Sequence, residues 1–150
     1  MLLNADPPDH RRQRKLVNGA FRPGRLRALE PTVDEVARRF LDAIVDPSAG
    51  RQECEFVHAF AVGLPMTIIA YALGVGDEDL VTFKRWSDDL VMPVGNHSPS
   101  VEQTRGYLVS SKEFADFFRA KLAERRATPA EDILSDIANA TLDGEQLSEA

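Results

Sequence analysis

Apolar residues recur at helical spacing along almost the whole 150-residue chain. His10, Arg14, Val17 and Phe21 share one face of a first helix. Its start is marked by Asp6 as N-cap, Pro7 as first helical residue and Asp9 three places past the cap. Arg22-Pro23-Gly24 reads as a turn, and Arg25 to Leu29 as a single helical turn. A second long helix opens at Pro31, with Val33, Val36, Ala37, Phe40, Leu41 and Ile44 on one stripe, and Asp46 to Gly50 stops it. Glu53 to Val57 alternates loosely and predicts a short strand. Phe60 to Val75 is the most apolar stretch, with Pro65 expected to start its helix and Gly74 to cap it.

Asp77 is the expected cap of the next helix, which carries Leu80, Phe83, Trp86, Leu90 and Val91. Met92 to Ser100, with two prolines and a glycine, reads as the longest loop. A long helix then runs to about Arg126, burying Tyr107, Leu108, Ser111, Phe114, Ala115, Phe118 and Leu122. Thr128-Pro129 breaks it, Glu131 to Ala138 is a short amphipathic helix, Leu142 to Glu145 a turn, and Leu147 to Ala150 the opening of another helix. The pattern predicts a mainly α, multi-helix fold in one unit covering 1–150, with no internal repeat.

Composition narrows the class. Hydrophobic residues make up 43%, charged residues 28%, and the net charge is −6, which are globular values. No apolar run approaches the ~18 residues of a membrane span. Met1-Leu2-Leu3-Asn4 lacks the basic start of a secretory signal. A single cysteine, Cys54, excludes an internal disulfide framework and fits a reducing cytoplasm. Residues 1–29 hold seven Lys/Arg against two acids, a local +5 on a chain whose remainder carries −11. That asymmetry favours a local acidic partner over nucleic acid.

The first helix carries the chemistry. His10 and Arg14 lie one turn apart and present N–H donors suited to an anion, with apolar side chains beyond them. On residues alone, the same face also reads as a basic helix surface in solvent. Arg11, Arg12 and Lys15 point to other sides of the helix. His10, His58 and His97 lack paired metal-ligand spacing, and no Gly-rich phosphate loop or nucleophile motif is present.

Asp6-Pro7-Pro8-Asp9-His10-x-x-x-Arg14-Lys15 resembles the C-helix motif of bacterial cytochrome P450 enzymes, Asp-Pro-Pro-Glu/Asp-His-x-x-x-Arg. Ala61-x-x-Leu64-Pro65 through Ile69 to Leu73-Gly74-Val75 is similar to the family's E helix, with Tyr71 and Ala72 departing from its usual acid and leucine. Arg85-Trp86-Ser87-Asp88 resembles its F helix. The resemblance runs in family order through helices C to H and implies a cytochrome P450 segment lacking the N-terminal sheet, the I helix and the haem-thiolate loop. It implies a haem cofactor of the b type, with His10 and Arg14 on its propionates. It implies an oxidoreductase of the monooxygenase kind, taking a small organic substrate, dioxygen and electrons from a ferredoxin- or flavodoxin-type donor. Arg11, Arg12 and Lys15 would lie on the donor's docking face, and Met92, Pro93 and Val94 on the substrate lid.

Cys54 fits the family's iron-ligand loop poorly: of the matching positions Pro47, Gly50, Gln52 and Phe56, only Gly50 agrees. Iron ligation is therefore not expected of this chain, which by itself would be inert. Apolar helix surface whose family neighbours lie outside the 150 residues would leave it marginal or self-associating. Glu35/Arg38 and Glu102/Arg105 read as i,i+3 surface pairs. The alternative reading is a non-catalytic helical module or relic that binds an acidic partner through its basic first helix.

Overall fold

The computed structural model describes residues 6–50, 52–96, 98–142 and 145–146. His97, residues 143–144 of the turn expected at Leu142–Glu145 and the helix expected at 147–150 lie outside the described residues. Seven α-helices follow in order: α1 (Asp9–Ala20), α2 (Pro23–Ala28), α3 (Glu30–Asp42), α4 (Gly63–Ala72), α5 (Leu80–Gly95), α6 (Val101–Ala127) and α7 (Ile133–Ala138). A π-helical segment, Val57–Val62, leads into α4, and a 3-10 turn, Asp77–Asp79, leads into α5. Strands β1 (Thr141–Leu142) and β2 (Glu145–Gln146) pair antiparallel, Thr141 opposite Gln146.

Two apolar clusters organise these helices. Ala70, Val75, Phe83 and Trp86 form the first, with Phe114, Phe117 and Phe118 of α6 packed against it. Its rings meet at centroid separations of 4.6–6.4 Å, mostly edge-on or tilted, as ring quadrupoles favour. Ala20, Ala72 and Ile133 form the second, where α1, α4 and α7 meet. Leu73 packs against both clusters and joins them.

Several expectations are corrected. Asp6 does not cap α1 with its side chain; the helix begins at Asp9, and the Asp6 backbone carbonyl accepts from the His10 N–H at 3.1 Å. The Pro7–Pro8 peptide is cis. The strand expected at Glu53–Val57 is absent. Glu55 instead accepts from the Val57 and His58 N–H groups at 3.2 and 2.8 Å, which starts a helix, and Phe56 stacks on Phe60 at 5.2 Å. Pro65 is the third residue of α4, not its first. The wide π-helical turn before it accommodates a residue without an N–H.

The loop expected at 92–100 is shorter. α5 continues through Pro93 to Gly95, and only residues 96–100 connect it to α6. Ser100 and Gln103 then close a reciprocal capping box, Ser100 Oγ accepting at 3.1 Å and Gln103 Oε1 at 2.8 Å. The buried stripe of α6 also differs: Leu108 and Ala115 are exposed, while Ser110 is fully buried and Phe117 joins the aromatic cluster. Ser110 Oγ takes a 2.8 Å bond from Arg85 and donates to Asp89, so a polar knot there displaces the expected apolar seam. Arg38 pairs with Asp34 at 3.5 Å and not with Glu35. No ion pair joins Glu102 to Arg105 among the described residues.

Gly74 caps α4 as expected, with φ +73°. A Cβ there would lie 2.7 Å from Asp132 Oδ2 and 2.8 Å from Arg125 Nη2. Gly74→Ala is therefore expected to cost about 1–3 kcal/mol, from left-handed backbone strain together with displacement of that ion pair. The fall in the denaturant midpoint measures it, and an unchanged midpoint would contradict it.

Candidate functional site

α1 positions the donors. Asp9 stands in its first turn, where a carboxylate suits the helix N-terminus. His10 is half-buried and Arg14, one turn on, is exposed on the same side. Among the described residues, neither side chain hydrogen-bonds or ion-pairs with a neighbour. The pair offers an imidazole N–H and a guanidinium fork, a donor set that fits a carboxylate. Arg11, Arg12 and Lys15 are exposed on the remaining sides. Lys15 borders a cleft of about 530 Å³ between α1 and α7, which also touches Gly19, Arg22, Ser135, Asp136 and Asn139. The His10–Arg14 face does not line that cleft.

The structure brings His10 and Arg14 together and puts Met92, Pro93 and Val94 in the last turn of α5. Met92 is half-buried beneath the Asn96 amide, while Pro93 and Val94 are exposed, Val94 at 74%. Cys54 is exposed in the irregular segment 52–55. Among the described residues, no group of three or more His, Cys, Asp or Glu is placed to hold a metal. No helix among them is long and apolar enough to cross a membrane.

What holds α1 in place is a set of residues that periodicity alone does not single out. α1 packs on α7 and touches β1. α7 is capped by Asp132, whose Oδ1 accepts from the Ser135 N–H at 2.7 Å. The other oxygen of Asp132 accepts from Arg125 Nε at 2.6 Å, in a pair whose side chains are 12% and 11% exposed. Burial pushes the Asp132 carboxyl up, but bonds from Ser135 and Arg125 outweigh it and leave the group below its ordinary range. One turn later, bonds from Arg25 hold the Asp136 carboxyl down, with Arg22 adding to the effect. The signal for these residues was present as Asp132-x-x-Ser135, a cap spacing, with Asp136 beside buried Ile133 and Leu134.

At the far end of α4, Tyr71 donates to Asp77 and accepts from Arg39 at 3.1 Å. Burial raises the Tyr71 phenol, and the bond to Asp77 raises it further. Asp77 is thus occupied by Tyr71 and does not cap α5 as expected.

The cytochrome P450 family model matches residues 1–149, and the chain belongs to that family. It is 37% identical over 149 residues to the steroid C26-monooxygenase of Mycobacterium tuberculosis H37Rv, covering 99% of this chain and 36% of that protein. It is 32% identical to cytochrome P450(MEG) of Priestia megaterium, covering 99% and 35%. Among solved structures, the ligand-free cytochrome P450 TbtJ1 superposes with a TM-score of 0.84 at 33% identity, over 99% of this chain and 38% of that one. CYP109E1 from Bacillus megaterium in complex with corticosterone superposes at 0.82 and 32%, over 99% and 38%. The chain therefore spans less than two-fifths of the length of these relatives. Its mainly α fold is that of a cytochrome P450 segment.

The two α7 carboxyls set an acid dependence. Both are held below the ~3.9 of an unfolded aspartate by partners present only in the folded chain. Their stabilisation is complete above about pH 4 and is lost as pH falls through the lower folded-state range. Replacing Asp132 and Asp136 together with Asn is expected to lower stability at neutral pH and flatten the acid limb. Denaturant midpoints between about pH 6 and pH 2 measure this; an acid limb as steep as the native one would contradict it.

Proposed function

We propose that the protein carrying this chain is a cytoplasmic haem monooxygenase that places one oxygen atom of dioxygen on a small organic substrate. Its electrons arrive from a ferredoxin- or flavodoxin-type donor. The observation that carries the reading is one helix face, matching the family's motif, that presents His10 and Arg14 with no hydrogen bond or ion pair from another described side chain. The names of two similar proteins, a steroid C26-monooxygenase and CYP109E1 in complex with corticosterone, support a largely apolar substrate.

In this reading α1 holds the rim of a b-type haem. Arg14 and His10 would hold its propionates, the guanidinium through its N–H fork and the imidazole through a ring N–H. Such charge-assisted bonds contribute roughly 1.5–3 kcal/mol each, with the exposed Arg14 toward the low end. When bound, the haem iron supplies the reductive activation of dioxygen. Arg11, Arg12 and Lys15 present positive charge to an acidic electron donor. Pro93 and Val94 give the end of α5 an apolar surface for the substrate's approach.

Two measurements test this. In the haem-loaded protein, His10→Ala and Arg14→Ala are each expected to weaken haem binding by about tenfold, which is about 1.4 kcal/mol. Haem titration reads this directly, and native affinity in both variants would defeat the propionate assignment. Reversing the charge at Arg11, Arg12 and Lys15 is expected to slow reduction by the donor and to flatten its ionic-strength dependence, leaving substrate binding unchanged. Stopped-flow reduction across a salt series measures it; a native rate and salt slope would remove these residues from the docking face.

A further inference from the structure

The corner between α1 and α2 has its own fastening. Asp136 of α7 takes three bonds from it. Arg25 donates Nε to Oδ2 at 2.8 Å and Nη2 to Oδ1 at 3.1 Å, and Arg22 Nη2 donates to Oδ1 at 3.1 Å. The Arg25 and Asp136 side chains are 18% and 16% exposed, so solvent screens this fork less than the surface pairs on α3, α5 and α6. The clasp joins residues 111 positions apart in sequence. Beside it, Ala20, the last residue of α1, is buried against Ala72 and Ile133. α7 is in turn fixed to α6 through Asp132 and Arg125.

α1 is a lever standing on that corner. With a rise of about 1.5 Å per residue, His10 lies roughly 15 Å along the helix from Ala20. A tilt of about 5° at the corner would carry the imidazole by roughly 1 Å. A shift of that size takes a donor out of the 2.7–3.2 Å range of a good N–H···O bond. α1 also packs on α7 and touches β1, and the clasp adds to those contacts a charged fastening at the end of the helix.

We propose that Asp136 is a positioning residue: by holding Arg22 and Arg25 it sets the tilt of α1, and so the place where His10 and Arg14 present their donors to the haem carboxylates. This rests on the propionate reading above, and the experiment separates the two. Haem loss from the ferric holoprotein is followed by capture in excess apomyoglobin, with far-ultraviolet circular dichroism recorded on each variant. Asp136→Asn is expected to speed haem loss by up to about tenfold, no more than removing one donor outright, with helix content retained. Exchanging the charges (Arg25→Asp with Asp136→Arg) is expected to recover most of that loss. In a His10→Ala, Arg14→Gln background, Asp136→Asn is expected to add nothing, because the groups it acts through are gone. A merely structural Asp136 would instead add its full effect there.

A native rate in Asp136→Asn beside a faster rate in the His10/Arg14 variant overturns the clasp alone, as does full additivity. A native rate in the His10/Arg14 variant overturns the propionate reading, and the clasp falls with it. If Asp136→Asn yields no folded holoprotein, Arg25→Lys asks the same question, since it keeps the charge and loses the fork. An intermediate rate in Arg25→Lys supports the proposal and a native rate overturns it.

Discussion

The Arg125–Asp132 pair beneath Gly74 is the contact on which the arrangement rests. α7 has only six residues, too few to stand as a helix without tertiary support. Asp132 supplies that support twice, as the cap of α7 and as the partner of Arg125 at the end of α6. Asn139 closes the other end, donating to the Ser135 carbonyl at 2.9 Å and to the Arg125 carbonyl at 3.3 Å. A pair this poorly exposed would be costly if either partner were removed. Only a residue without a Cβ lets the end of α4 approach it so closely, which explains why the left-handed turn falls at Gly74. Three helix ends converge on one ion pair, and α7 becomes rigid enough for α1 to stand on.

A second polar knot does comparable work between α5 and α6. Arg85 reaches buried Ser110 and exposed Glu113, and Trp86 Nε1 donates to the same Glu113 at 2.9 Å. Bonds from Arg85 and then Trp86 hold the Glu113 carboxyl below its ordinary range. Trp86 thus buries its ring in the aromatic cluster while its one donor is satisfied at the edge. Register along a 27-residue helix is fixed by this pairing together with the rings, which apolar spacing alone would leave free to slide.

Much of this was legible in the sequence, for physical reasons. Six of the helices follow from 3.6-residue spacing, and Gly74 follows from the end of an apolar run. The family motif put His10 and Arg14 on one face, where α1 holds them. What was not legible depended on groups distant in sequence. Glu55 turned an alternating stretch into a helix start because it had N–H groups to collect, whereas a lone strand had no partner edge. Pro93 looked like a loop residue, yet within a turn of a helix end it interrupts little. Ser110 looked like an exposed hydroxyl until Arg85 and Asp89 arrived from another helix. Asp77 was expected to cap α5, but Tyr71, at a position where the family more often has an acid, captured it.

The same distant pairing changes the meaning of the N-terminal charge. Counted along the sequence, residues 1–29 form a +5 patch open to an acidic partner. In the fold, Arg22 and Arg25 face Asp136 and serve the internal structure. An acidic protein approaching α1 would therefore meet the charge of Arg11, Arg14 and Lys15 on the helix, with Arg27 beyond it. Arg14 is further committed if it binds a propionate. The positive charge left for an acidic partner is thereby smaller and more local than the composition implies. On the proposed reading α1 would meet an anion on the side of His10 and a partner on its other sides, while Asp136 fastens the α1–α2 corner through Arg22 and Arg25.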